Sequence, residues 1–146
     1  MKIVLQRVLS SSVEVNGKIV GKIDKGFLIL VGFENLDTKE TIDKMIKKIC
    51  EMRIFVDENN KMNFSILDIS GEILIVSQFT LLANLEKGNR PSFVKAGNPK
   101  IANELFDYFV TKMKIFSKLK IETGVFGAKM NVKLENDGPV TFILES

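Results

Sequence analysis

Phe27-Leu28-Ile29-Leu30-Val31-Gly32-Phe33 is a nearly continuous apolar run. A run this short, entered through Asp24-Lys25-Gly26, reads as a strand buried on both faces. Such a strand needs neighbours on either edge and cover above and below. The sequence before it supplies strands. Residues 2–8 alternate, with Ile3, Leu5 and Arg7 on one face and Val4, Gln6 and Val8 on the other. Residues 12–15 follow, and Asn16-Gly17 is a strong two-residue hairpin signal leading to a return strand over Lys18 to Ile23.

The sequence after it supplies the cover. Asp37-Thr38-Lys39-Glu40 has the composition of a helix start, with Asp37 as the cap and Glu40 reaching back. Ile42, Met45, Ile46 and Ile49 then recur at helical spacing, with Lys44, Lys47 and Lys48 opposite. Asn98-Pro99 opens a second helix, Asn98 capping it and Pro99 at its first position. Its apolar stripe is Ala102, Leu105, Phe106, Phe109 and Met113. Further strands are expected at Arg53 to Val56, Ile73 to Ser77, Lys120 to Gly124, Met130 to Leu134 and Val140 to Leu144. Asn63 to Ser70 has no clear pattern. The predicted fold class is α+β: a barrel-like, largely antiparallel β-sheet of about nine strands, with two main helices packed outside. All 146 residues fit one domain.

Composition excludes many kinds of chemistry. The chain has no His and one Cys. The usual general base, the His-dependent catalytic triads and the common zinc ligand sets are therefore missing. No transition-metal site is expected, and no Gly-rich phosphate loop occurs. Cys50 lies beside the first helix's apolar stripe and reads as a small core residue, since no base is available to activate it. A single Cys also suits a reducing compartment. No apolar segment reaches membrane-spanning length, and the N-terminus becomes charged too early for a signal peptide. The net charge of +3, from 21 basic and 18 acidic residues, permits a nucleic-acid partner without demanding one.

Two stretches stand out as candidates for chemistry. Ser77-Gln78-Phe79-Thr80 marks the end of a buried strand, where a rigid sheet can aim two hydroxyls and an amide. Ser and Thr there also serve as turn or capping residues. Asn136-Asp137-Gly138-Pro139-Val140-Thr141 interrupts two strand-like runs. Locally it reads as a hairpin turn, with Pro139 at the first residue of the return strand. The alternative is a rigid Gly-Pro unit presented to a ligand. A long loop, Asn84 to Gly97, carries Lys87, Arg90 and Phe93. Lys87 and Arg90 are either solvated cations or contacts for phosphates. Phe93 is either a stacking platform for a base or an anchor for the loop.

Ser77-Gln78-Phe79-Thr80-Leu81 and Asn136-Asp137-Gly138-Pro139-Val140-Thr141 together resemble the two signature motifs of the D-aminoacyl-tRNA deacylase family. Gln6-Arg7-Val8 and Gly88-Asn89-Arg90-Pro91-Ser92-Phe93 match as well, and Phe126 and Met130 fall where the family places pocket residues. The resemblance covers the whole chain without a departure in either main motif. It implies a cytoplasmic homodimer that hydrolyses the ester joining a D-amino acid to the 3′ end of tRNA. It assigns catalysis to Ser77, Gln78, Phe79 and Thr80, and substrate binding to Gly138, Pro139, Arg7, Phe126 and Met130. The Gly138-Pro139 peptide would be cis and would enter the partner's pocket, where its carbonyls exclude an L side chain. Glycine mischarged on alanine tRNA would be a second substrate. No cofactor, membrane or DNA partner is implied.

The residues themselves leave the mechanism between two readings. Thr80 could attack as a nucleophile, but a hydroxyl needs a base and none lies in the motif. Otherwise, backbone N–H groups near Phe79 and Thr80 stabilise an oxyanion while water attacks, aided by the tRNA 2′-hydroxyl. A third reading is a tRNA-binding module without chemistry. Arg7 could hold the Gly-Pro loop through its carbonyls, or form an ordinary surface ion pair.

Overall fold

The computed structural model describes residues 1–86 and 88–146. Its largest sheet is ordered β2-β1-β3-β6-β7, with β8 also paired to β1. The strands are β1 (Lys2–Val15), β2 (Lys18–Ile23), β3 (Gly26–Gly32), β6 (Glu72–Ser77), β7 (Ile121–Thr123) and β8 (Asn131–Glu145). A separate small hairpin joins β4 (Phe55–Val56) to β5 (Met62–Phe64). Two helices, α1 (Lys39–Glu51) and α2 (Pro99–Ser117), complete the fold.

The sheet is barrel-like, as expected, but mixed. β1 runs antiparallel to β2, β3 and β8, whereas β3–β6 and β6–β7 are parallel. Parallel neighbours need a long crossover. Here α1 lies in the crossover from β3 to β6, and α2 in that from β6 to β7. The two helices are therefore links within the sheet as well as its cover.

β3 is apolar on both faces because both faces are covered. Phe27, Ile29 and Val31 join the core shared with α1 and α2, while Leu28 packs with Val8, Val13, Ile23, Leu74 and Val76 in a second cluster. Each fully buried side chain of this size contributes about 1.5–3 kcal/mol. Cys50 lies in the first cluster, fully buried.

Three expectations need correction. The runs 2–8 and 12–15 form one strand, β1, because β8 pairs with it almost throughout while β3 and then β2 occupy its other edge. The expected strands over 130–134 and 140–144 likewise merge into one, β8, which begins at Asn131, so Asn136 to Thr141 is not a hairpin turn. Gln6 pairs with Thr141 and Val8 with Asn136, leaving residues 137–140 bulged out opposite Arg7 alone. The cap of α1 is Thr38, whose hydroxyl accepts from the Thr41 N–H, not Asp37. Asp37 instead accepts from the Met1 ammonium at 2.6 Å and the Glu34 N–H at 2.6 Å, and Glu40 pairs with Lys44.

Asn16-Gly17 turns as expected, both residues at positive φ (50° and 77°). Asn98 caps α2 with Pro99 at its first turn. The Arg53 to Val56 strand shrinks to β4, because Arg53 is drawn to the Asn63 carbonyl and side chain.

Near-closure of the barrel brings β2 against β7. A Cβ on Gly21 would lie 2.7 Å from the Thr123 carbonyl oxygen, closer than carbon and oxygen can pack. Gly21→Ala is therefore expected to cost about 1–3 kcal/mol through overpacking. Urea unfolding should show a lower midpoint with an unchanged slope.

Candidate active site

A cleft of about 640 Å³ opens at the carboxyl ends of β3 and β6. Ligands commonly bind beyond the carboxyl ends of parallel strands, where the chain leaves the sheet. Val31 and Gly32 come from β3, and Val76 and Ser77 from β6. Gln78 and Phe79 follow, at the start of a 3-10 turn over Phe79–Leu82. The far wall is Phe126 to Ala128, Met130 and Val132, and the first turn of α2 adds Pro99 and Ala102.

All the described lining residues are uncharged, and most are apolar. Such a surface favours a ligand with a neutral, largely apolar reacting part. The loop 93–97 closes one side. It is pinned by the Gly97 N–H donating to the Phe33 carbonyl at 2.9 Å. Phe93 meets Phe79 edge-on, with ring centroids 4.9 Å apart. Phe93 therefore anchors the loop while its ring lines the cleft. Phe126 is backed by Phe106 at 5.9 Å.

The structure thus gathers Ser77, Gln78, Phe79, Phe126 and Met130 in one cleft. Thr80 stands just outside it and is exposed. Its hydroxyl accepts from the Gln78 side-chain amide, which can donate a proton but not take one. No carboxylate or amine hydrogen-bonds Thr80 among the described residues. The N–H groups of Phe79 and Thr80 donate to no backbone acceptor outside the regular elements. Among the described residues they have no hydrogen-bond acceptor, at the point where β6 ends.

Gly138 and Pro139 do not line this cleft. They are exposed on the bulge of β8, and their peptide is cis. Arg7 holds the base of the bulge. It is only 6% exposed. Its Nε donates to the Asp137 carbonyl at 3.1 Å and lies 3.1 Å from the Asp137 carboxylate. Its Nη1 donates to the Ile54 carbonyl, and the guanidinium sits 5.9 Å from the centre of the Phe55 ring. Arg7 is thus no surface ion pair; it ties the bulge to the core.

Asn136 is a structural residue that sequence reasoning passed over. Its Oδ1 accepts from the Val140 N–H at 2.8 Å, and its Nδ2 donates to the Val140 carbonyl at 3.3 Å. The side chain clamps both ends of the bulge as a backbone partner would. Its position two residues before Gly138 was the available signal. Gly138 itself has φ 147°, and a Cβ there would fall 2.6 Å from Val140 Cγ2. Glycine is required on both counts.

Of the basic loop residues, Arg90 is exposed and has no carboxylate within 4 Å among the described residues, while Lys87 lies outside them. No cluster of three or more acidic or Cys residues that could hold a metal occurs among the described residues. No helix is long and apolar enough to cross a membrane.

Cys50 is remote from this chemistry. Burial, with Glu51 adding a smaller repulsion, pushes its thiol up to about 12. It stays protonated at neutral pH, when only the thiolate is nucleophilic. The native protein should leave a disulfide-exchange reagent unreacted at pH 8, whereas protein unfolded in guanidinium should titrate one thiol.

A family model described as D-Tyr-tRNA(Tyr) deacylase matches residues 4–145. The D-aminoacyl-tRNA deacylase of Sulfurihydrogenibium sp. (strain YO3AOP1) is 58% identical over 144 residues, covering 98% of this chain and 96% of that protein. The D-aminoacyl-tRNA deacylase of Aquifex aeolicus (strain VF5) is 55% identical over 146 residues, covering 100% and 98%. Among solved structures, one named c-Myc DNA Unwinding Element Binding Protein superposes with a TM-score of 0.95 at 40% identity, covering 100% of this chain and 99% of the other.

Proposed function

The chain belongs to the D-Tyr-tRNA(Tyr) deacylase family, and on that premise we propose that it hydrolyses the ester bond of D-aminoacyl-tRNA, releasing the D-amino acid and tRNA. The observation that carries the chemistry is the uncharged cleft, lined by Ser77, Gln78 and Phe79 where β6 ends, with Thr80 just outside it. Its volume suits an amino acid together with the terminal nucleoside that carries it.

Ester hydrolysis needs a nucleophile and a home for the developing oxyanion. Water supplies the first. Its oxygen bonds to the acyl carbon, the bond from that carbon to the ribose oxygen breaks, and the neighbouring 2′-hydroxyl relays a proton to the departing oxygen. The N–H groups at Phe79 and Thr80 hold the oxyanion. One such donor contributes roughly 3 kcal/mol to lowering the barrier. An aminoacyl ester is already activated, so this modest machinery is enough. Attack by Thr80 itself is disfavoured, because its one side-chain partner is an amide donor.

Selection against L-amino acids falls to Gly138-Pro139 of a partner subunit. The unit is exposed, fixed from beneath by Arg7 and Asn136, and absent from its own chain's cleft. A fixed main-chain obstacle near the substrate's Cα rejects L side chains of any size. It also leaves glycine acceptable, which makes glycyl-tRNA(Ala) a second substrate. The homodimer is supported by exposed apolar side chains on β8 to either side of the bulge, Ile143 at 68% and Leu134 at 39%. Arg90 and Lys87 bind acceptor-stem phosphates, which positions tRNA without reading its sequence. We place the enzyme in the cytoplasm, where its substrate is made. The structural neighbour's name concerns a DNA element, but an enclosed apolar cleft has no use in gripping duplex backbone, and no DNA partner is proposed.

Incubation with D-tyrosyl-tRNA and L-tyrosyl-tRNA tests the reading directly. Only the D ester should be cleaved faster than in buffer; equal, uncatalysed rates for both would leave a tRNA-binding module without chemistry. Thr80→Ala is expected to lower kcat less than 10-fold, since its backbone N–H survives. A loss of 10³ or more, the scale of a removed nucleophile, would return Thr80 to that role.

A further inference from the structure

We infer that Gly32 is a positioning residue for catalysis: the missing side chain on β3 sets where the Ser77–Thr80 backbone leaves the sheet. This rests on the deacylase reading above. β3 and β6 are in parallel register up to Val31 and Ser77. One more bond continues beyond the strand, from the Gln78 N–H to the Val31 carbonyl at 2.7 Å. The chain then turns away, and the Gln78 carbonyl accepts from the Leu81 N–H at 3.2 Å to close the 3-10 turn. That carbonyl oxygen lies over the Gly32 Cα. A Cβ built on Gly32 would be 2.8 Å from it, and 3.3 Å from Leu82 Cγ.

The two contacts differ in what they allow. Leu82 is a side chain and can rotate aside. The Gln78 oxygen is backbone, held from one side by β3 and from the other by the turn. A methyl group at position 32 must therefore push the peptide joining Gln78 to Phe79. That peptide carries the Phe79 N–H and immediately precedes the Thr80 N–H. Displacements well under 1 Å at groups that meet a transition state are felt in rate more than in binding. Gly32 also lines the cleft, so the displaced atoms belong to the site and not to a distant layer.

Gly71 provides the comparison. It precedes the opposite end of β6, and a Cβ there would also be crowded, 2.9 Å from Ile66 Cγ1 and 3.3 Å from the Lys25 carbonyl. Gly71→Ala crowds mainly side-chain atoms, which can rotate aside, and does so far from the cleft.

Wild-type protein, Gly32→Ala and Gly71→Ala would be compared for kcat and KM on D-tyrosyl-tRNA, for Tm, and for amide chemical shifts. Gly32→Ala is expected to lower kcat by about 10-fold or more with KM changed less than about 3-fold. It should shift the Phe79 and Thr80 amide resonances while still melting cooperatively, no more than about 10 °C below wild type. Gly71→Ala should keep the wild-type kcat and leave those resonances in place. A Gly32→Ala protein with wild-type kcat, with its loss confined to KM, or unable to fold where Gly71→Ala folds overturns the proposal. If wild-type protein cleaves no D-tyrosyl-tRNA, the deacylase reading itself falls and takes this role with it.

Discussion

β1 carries the ladder for three other strands. β8 occupies one edge almost throughout, while β3 and then β2 share the other. That pairing is broken at one place of consequence, the bulge of residues 137–140 opposite Arg7. Backbone groups expelled from a ladder must find other partners. Arg7 and Asn136 supply them, through the Asp137 carbonyl and both backbone groups of Val140. The bulge is a stable shape because the residues beneath it replace what the sheet gave up.

The same sheet explains why the cleft is where it is. β3 and β6 are parallel, so their carboxyl ends lie together and both chains must depart on one side. The gap between the departing segments is roofed by the start of α2 and the 93–97 loop. Nothing charged enters it from the described lining. Backbone donors act more strongly in apolar surroundings than in water, and they do not titrate. Under the proposed mechanism, a chain without His needs no tuned acid or base to hydrolyse an ester at neutral pH.

Features set by near neighbours were legible in the sequence. The Asn16-Gly17 turn, the Asn98-Pro99 helix start and the apolar stripes of both helices are local, and each formed as read. The Ser77 to Phe79 segment was placed correctly at a strand end, and Phe126 and Met130 joined it in the cleft. Long-range partners were not legible. Asp37 was read as a cap, but the Met1 ammonium claims it from 36 positions away. The Gly138-Pro139 stretch read locally as a hairpin, beside the alternative of a presented Gly-Pro unit, because both flanks look like strands. Only β1, some 130 residues earlier, makes them one strand. The parallel pairs were missed for a different reason: two helices each lying between strands were taken as outside cover, although that order is what a parallel crossover requires.

Arg7 joins these two parts of the molecule. Burying a guanidinium is costly unless its donors are met. Here they are met by the Asp137 and Ile54 carbonyls and the Asp137 carboxylate, with Phe55 alongside. Ile54 and Phe55 belong to the main core. A shift of the bulge would strand the charge in apolar surroundings, so the exposed Gly138-Pro139 unit inherits its position from the core. The cleft has no such unit of its own, because the bulge lies along β8 outside the lining. One chain thus holds a cleft and an exposed, anchored Gly138-Pro139 unit that do not meet, and it is this separation that the proposed dimer bridges.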